Sequence, residues 1–112
     1  MIQRVIRFAF PRRAASPEPL PEGVVLCEAA WLTTVAGFLS GMGGPAAAVT
    51  LGRTIIVHPK MRATQALVRH ELAHVRQWQA NPWTFPVRYA LNHLRYGYRN
   101  NPYEVEARQS ER

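Results

Sequence analysis

The chain has 112 residues and 47% of them are hydrophobic, which suits one domain with a modest core and excludes wholesale disorder. The net charge is +7, from 14 Lys and Arg against 7 Asp and Glu, and the arginines are spread along the whole sequence. This spread favours a basic surface over a dedicated nucleic-acid face, and no nucleic-acid-binding motif accompanies it. We therefore expect no specific nucleic acid as a partner.

Cys27 is the only cysteine, so an intrachain disulfide and a cysteine-ligated zinc ribbon are both excluded. This fits a reducing compartment, and we expect a cytoplasmic protein. The start of the chain lacks the uninterrupted apolar stretch of a secretory signal. The apolar segment 24–39 contains Glu28 and is short for a bilayer span, so no membrane span is expected.

Residues 1–23 are predicted to form an N-terminal arm or linker, ahead of a domain over residues 24–112. Four prolines lie between positions 11 and 21, and proline is incompatible with a regular helix or a central strand. A helix is then predicted from Cys27 to Ser40, because apolar residues recur there at helical spacing. These residues are Trp31, Val35, Phe38 and Leu39.

A β-hairpin is predicted after the glycine-rich turn at residues 41–45. Ala48–Leu51 and Thr54–Val57 are β-prone runs, and Gly52-Arg53 between them favours a type II′ turn. Pro59 then ends the second strand.

Three helices are predicted after the hairpin. The first runs from about Thr64 to Ala80 and ends at Asn81-Pro82, with an apolar stripe formed by Val68, Leu72 and Val75. The second runs from Trp83 to about Tyr96 and ends near Gly97. The third begins at Asn101-Pro102, with Asn as the N-cap and Pro in the first turn.

The first of these helices carries His70-Glu71-Leu72-Ala73-His74, an H-E-x-x-H motif. Two histidines four residues apart project from one helix face, so both imidazoles can reach a single metal ion. Glu71 can then act as the general base on a metal-activated water, as in zinc peptidases.

A zinc peptidase needs a third protein ligand and one open position. The metzincin pattern is excluded, because Gln77 and Ala80 stand where it requires glycine and histidine. Gluzincins use a glutamate on a later helix, and the glutamates after the motif are Glu104, Glu106 and Glu111. His93 is a further candidate for the third position.

The motif, together with the Asn101-Pro102-Tyr103-Glu104-Val105-Glu106-Ala107 stretch, resembles the small gluzincin-like metallopeptidase domains. The resemblance covers about residues 46–108. It implies that Glu104 binds zinc, with Ala107 matching the alanine of an E-x-x-A-D stretch. Arg108 replaces the aspartate that orients a ligand histidine in many relatives, and Glu106 either substitutes for that aspartate or is itself the ligand.

Several residues near the motif have two interpretations each. Glu104 lies three residues after Asn101, where a glutamate commonly caps the helix instead of binding metal. Gln77 either braces His74 or is exposed. His58 is interpreted as a strand-end residue. Three tyrosines can donate a hydrogen bond to an oxyanion, but packing is their simpler interpretation; they are Tyr96, Tyr98 and Tyr103. Aromatic residues interpreted as core or interface anchors are Trp78, Trp83 and Phe85.

The sequence thus predicts an α+β fold, a minimal zincin-like domain in which a small sheet packs on the H-E-x-x-H helix and on a C-terminal helix carrying a glutamate. The leading hypothesis is a Zn²⁺-dependent metallopeptidase that acts on peptide or protein substrates. Its metal ligands are His70, His74 and Glu104, its base is Glu71, and Thr54–Val57 is expected to offer an edge to an extended substrate. The alternatives are a non-catalytic zinc-binding or protein-interaction module, and a basic regulatory or nucleic-acid-binding piece with a chance motif.

Overall fold

The computed structural model of the chain describes residues 12–39 and 46–112. Within these residues a small sheet and four helices confirm the predicted α+β class. The strands are β1 (Arg12–Arg13), β2 (Val25–Glu28), β3 (Ala48–Leu51) and β4 (Thr54–Val57). The helices are α1 (Ala30–Leu39), α2 (Gln65–Ala80), α3 (Phe85–Asn100) and α4 (Pro102–Gln109). The start of the predicted arm and the predicted turn at residues 41–45 lie outside the described residues.

The predicted hairpin is confirmed with the same strand bounds. β3 pairs antiparallel with β4, and Leu51 lies opposite Thr54, which leaves Gly52 and Arg53 as the two turn residues. Gly52 has a φ of +63°, whereas Arg53 does not have a positive φ. A type II′ turn requires a positive φ only at its first central residue, so the backbone fits the predicted turn.

The predicted start of the first helix was wrong. Val25–Glu28 forms strand β2, which pairs parallel with β4, and α1 begins only at Ala30. A short apolar run suits a buried strand as well as a helix, and periodicity alone does not separate the two. This segment forms a strand because one edge of β4 is available to pair with it. That pairing is a tertiary contact, which periodicity in the sequence does not show.

The sheet order is β1-β2-β4-β3. β4 lies between β2 and β3, so the expectation that Thr54–Val57 offers an edge to a substrate was wrong. β3 is the edge strand on this side of the described sheet. On the other side, β1 pairs antiparallel with β2, so this part of the predicted arm is an edge strand and not a central one.

Helix α2 packs against one face of the sheet. Thr64 caps its N-terminus, because the Thr64 side chain accepts a hydrogen bond from the backbone N–H of Leu67. The predicted apolar stripe faces the core: Val68 and Val75 are buried, and Leu72 packs against the core cluster. The buried members of that cluster are Val24, Leu26, Ile55, Val57 and Val75.

Helices α3 and α4 fold back against α2. Gly97, with φ +79° and ψ 171°, interrupts α3 where the sequence predicts its end. The fully buried Asn101 joins the two helices, because its side chain accepts from Tyr103 N and donates to Tyr89 O. In the described part of the chain, no helix has the length and apolar character needed to cross a membrane.

Candidate metal centre

Helix α2 presents two histidines on the same face. His70 and His74 are one turn apart, their ring centroids are 5.1 Å apart, and both residues are buried. Because α4 packs on this face of α2, both imidazoles point towards the C-terminal helix.

Helix α4 supplies a carboxylate between the two imidazoles. Glu104 Oε1 lies 2.9 Å from His70 Nε2 and 3.2 Å from His74 Nε2. The three residues are buried, and one donor atom from each lies within 4.8 Å of the others, so they form a group that can hold a metal ion. The alternative role of Glu104 as a helix cap does not hold, because the backbone N–H of Asn101 bonds to Tyr98 O instead.

The second nitrogen of each imidazole is held by another side chain. His74 Nδ1 lies 2.8 Å from Gln77 Oε1, and His70 Nδ1 lies 3.0 Å from Glu111 Oε2. Each of these oxygens only accepts hydrogen bonds, so each Nδ1 carries a proton and each Nε2 is the atom left for a metal.

Gln77 is itself fixed from two sides. Its amide nitrogen donates to Tyr103 O at 3.0 Å and to Glu106 Oε1 at 3.2 Å. Both partners are acceptors, so the amide oxygen has to face His74. Gln77 is buried, and of its two predicted roles the structure supports the brace.

This donor set fits a divalent metal ion. Two imidazole nitrogens and one carboxylate are the ligands of many catalytic zinc sites. Hydrogen bonds to the outer nitrogens orient such imidazoles, and Gln77 and Glu111 supply them here. Glu111 thus holds the outer nitrogen of His70 in place.

The imidazoles also hold protons strongly. Burial alone would lower the pKa of His70, but hydrogen bonds to Glu104 and Glu111 raise it to about 9. Glu104 likewise raises the pKa of His74 against the effect of burial. Burial opposes ionisation of Glu104 too, yet both imidazoles hold its pKa well below the usual value. A metal ion therefore has to displace protons to bind.

Glu71, the predicted base, lies on the same helix with a buried carboxylate. Thr50 on the edge strand β3 donates to Glu71 Oε2 at 2.8 Å, which fixes the orientation of the carboxylate. Burial raises the pKa of Glu71, although both histidines oppose this effect. A carboxylate with a raised pKa is a better proton acceptor than an exposed one.

Two tyrosines surround the carboxylates. Tyr89 donates to Glu104 Oε2 at 2.6 Å. Glu104 Oε1 lies near both imidazoles, and Oε2 is also 3.2 Å from His74 Nε2. Tyr98 follows the break at Gly97 and, together with Glu71, lines a cavity beside the metal-binding group. Burial and the Glu104 and Glu71 carboxylates raise the pKa of Tyr98, so its phenol stays a hydrogen-bond donor at neutral pH.

A cavity of about 220 Å³ adjoins the metal-binding group. Its lining includes the edge strand β3 with Ala46 before it, and the side chains of Trp78, Phe85 and Pro86. Glu71, His74 and Glu104 also line this cavity. An apolar space thus opens directly beside the candidate metal centre.

The remaining candidates lie away from the metal-binding group. Glu106 is exposed and binds Gln77, so it is neither placed as a ligand nor in contact with a histidine. His93 stacks on Tyr89 and is not in the group, and His58 ends its strand as predicted, accepting from Lys60 N. Of the predicted aromatic anchors, Trp78 and Phe85 pack together, whereas Trp83 is not a core residue.

Sequence reasoning missed three contacts of the site. It assigned no role to Thr50 or Tyr89, and it named Glu111 only among the glutamates after the motif that could supply the third ligand. A hydroxyl on a strand or a helix gives no sequence signal of its own. These side chains reach the site only through the packing of β3, α3 and the C-terminus on α2.

A family model described as the eCIS core domain matches residues 42–82. The match spans the hairpin and helix α2 with His70, Glu71 and His74, but it ends before Glu104. It covers less than half of the chain, so it establishes a similarity over this segment. Neither the curated proteins nor the solved structures gave a significant match.

Proposed function

We propose that this protein is a zinc-dependent peptidase of the gluzincin type, in which His70, His74 and Glu104 hold the metal. The observation that carries this proposal is the convergence of three buried donor atoms beside the buried carboxylate of Glu71. The similarity of residues 42–82 to the eCIS core domain supports it for the segment that carries the motif.

Zinc is the metal that this donor set favours, because two imidazoles and one carboxylate suit its ligand preferences. When bound, zinc supplies a Lewis acid that acidifies a water molecule and polarises a peptide carbonyl. The chain's own task is to hold the three ligands in place. Gln77 and Glu111 hold the two imidazoles, and Tyr89 holds the Glu104 carboxylate.

Glu71 is the proton carrier in this proposal. Thr50 holds its carboxylate on the cavity wall, where it accepts a proton from the attacking water and returns it to the leaving amine. Tyr98 lines the same space and remains protonated, so it can donate to the carbonyl oxygen on which negative charge develops.

The substrate is proposed to lie along β3 as an extended peptide. β3 is an edge strand of the described sheet and lines the cavity. Thr50 O already accepts from Trp78, so we propose that the other backbone groups on this edge pair with a substrate backbone beside Glu71. The walls formed by Val49, Leu51, Trp78 and Phe85 favour an apolar substrate side chain next to the scissile bond.

Metal analysis of the purified protein tests the ligand assignment. We expect one equivalent of zinc in the parent protein and a loss of zinc in Glu104→Ala. Glu106→Ala is the matched control, because it removes a glutamate two residues away on the same helix without touching the histidines. Equal zinc content in the parent and Glu104→Ala would contradict the proposed ligand set.

Glu71→Gln then separates binding from catalysis. We expect this variant to keep zinc and to cleave library peptides at least about 100-fold more slowly, as the loss of a general base predicts. A variant as active as the parent would remove Glu71 from the mechanism. Stoichiometric zinc with no cleavage of any peptide by the parent would favour the non-catalytic module.

A further inference from the structure

Helix α3 exposes a continuous apolar stripe. Val87, Leu91 and Leu94 are separated by four and three residues, so they lie on one face of the helix. They are 59%, 60% and 82% exposed, and Trp83, just before the helix, is 90% exposed. The stripe thus extends over more than two helical turns without a covering element in the described part of the chain.

The stripe is not the face by which α3 joins the fold. The opposite side carries Phe85, which is buried against Trp78 and Tyr103, and Tyr89, which bonds to Glu104. α3 therefore has one apolar face that packs on the rest of the protein and a second apolar face that no described residue covers. Apolar stripes of this size on a surface mark interaction sites.

Basic residues border the stripe. At roughly 100° per residue, Arg88 and Arg95 lie along the same edge of the face formed by Val87, Leu91 and Leu94. α3 contains no acidic residue. Arg88 and Arg95 have no carboxylate partner among residues 12–39 and 46–112, and Arg95 stacks only on Tyr96. The surface is therefore complementary to an anionic partner.

We propose that α3 docks on an anionic lipid surface, lying in the plane of the headgroups. An amphipathic helix with Val and Leu on one face, Arg at its border and an exposed Trp just before it has the composition of an interfacial helix. The net charge of +7 adds a longer-range attraction to anionic lipids.

The chemistry of α3 distinguishes this surface from the other exposed apolar face. Helix α1 also exposes Trp31, Val35 and Phe38, but it contains no charged residue. Nothing on α1 specifies the charge of a partner, whereas the arginines of α3 do. Because α3 also carries Phe85 and Tyr89, docking holds the candidate metal centre next to the lipid surface.

The test is vesicle sedimentation of the full chain with phosphatidylcholine vesicles that contain or lack phosphatidylglycerol. We expect binding to the anionic vesicles, weaker binding to the neutral ones, and a blue shift of tryptophan fluorescence that is reduced in Trp83→Phe. Leu91→Gln/Leu94→Gln should weaken binding at least about tenfold. Arg88→Gln/Arg95→Gln should weaken binding to anionic vesicles by about thirtyfold.

Two controls match these variants elsewhere on the surface. Met61→Gln removes a half-exposed apolar side chain, and Arg12→Gln/Arg13→Gln removes two exposed arginines. Both should change binding by less than about threefold. Leu94→Gln alone is the fallback if the double variant does not fold, since this side chain is almost fully exposed.

Several outcomes would overturn the proposal. The proposal is wrong if the protein does not sediment with anionic vesicles, or if the leucine variants bind them as well as the parent does. It is also wrong if the matched controls lose as much binding as the leucine and arginine variants. Concentration-dependent dimerisation that Leu91→Gln/Leu94→Gln abolishes would assign the stripe to a second copy of the chain instead. None of these measurements depends on peptidase activity, so the docking proposal and the proposed function fail or stand separately.

Discussion

The substitution Gln77→Met tests how the centre is organised. Gln77 accepts from His74 Nδ1 and donates to Tyr103 O and Glu106 Oε1. Methionine fills a similar volume but cannot replace these hydrogen bonds. The change leaves the Nδ1–H of His74 without its acceptor in a buried position, while both proposed zinc ligands on α2 remain present.

Two effects set the expected magnitude. Loss of a partner that orients a ligand imidazole typically weakens metal binding by about 10–100-fold, or roughly 1.4–2.8 kcal/mol. A buried donor without an acceptor costs about 1–3 kcal/mol of folding free energy. The second contribution comes mainly from His74, because Glu106 is exposed and water can replace its bond to Gln77.

The assay is zinc titration of the metal-free protein against a chromophoric chelator, with urea unfolding measured in parallel. Glu106→Gln is the matched control and should change zinc affinity by less than about threefold, because it alters only the exposed end of the same chain of hydrogen bonds. Zinc binding by Gln77→Met as tight as in the parent would refute the argument that Gln77 orients His74 towards the metal.

Three further predictions concern the base, the helix break and the charge of the centre. Thr50→Val removes the donor to the Glu71 carboxylate, so we expect kcat/KM for a cleaved peptide to fall by about 10–100-fold while zinc affinity changes by less than about threefold. Equal losses of kcat/KM and of zinc affinity would indicate a general distortion of the site instead. The added methyl group of Gly97→Ala meets no neighbouring atom, but alanine is strained at a φ of +79°, so we expect the free energy of unfolding in urea to fall by about 1–3 kcal/mol. An unchanged unfolding midpoint would contradict this strain. The raised pKa of His70 implies stability that is fully present below pH 6.5 and is lost as the pH rises through about 9, so chelator-treated protein should lose stability over this interval. His70→Gln should show a smaller decrease over the same interval, and a decrease equal to that of the parent would assign it to other groups.

The sequence by itself determined the local features of this protein. The H-E-x-x-H spacing fixed two imidazoles on one face of α2, since helical periodicity allows no other arrangement. The Gly52-Arg53 turn and the β-prone runs beside it determined the hairpin, and Asn101-Pro102 determined the start of α4. Such features depend on a few neighbouring residues, so periodicity, turn preferences and capping are sufficient to predict them.

Tertiary structure decided the features that depend on distant partners. β2 is a strand because the edge of β4 is available to it, although its apolar sequence also suits a helix. Glu104 faces the imidazoles instead of capping α4, because the packing of α4 on α2 brings its carboxylate between them. Thr50, Tyr89 and Glu111 join the site for the same reason: hydrogen-bond partners far apart in sequence are selected by how the helices and the sheet pack, which local patterns do not encode.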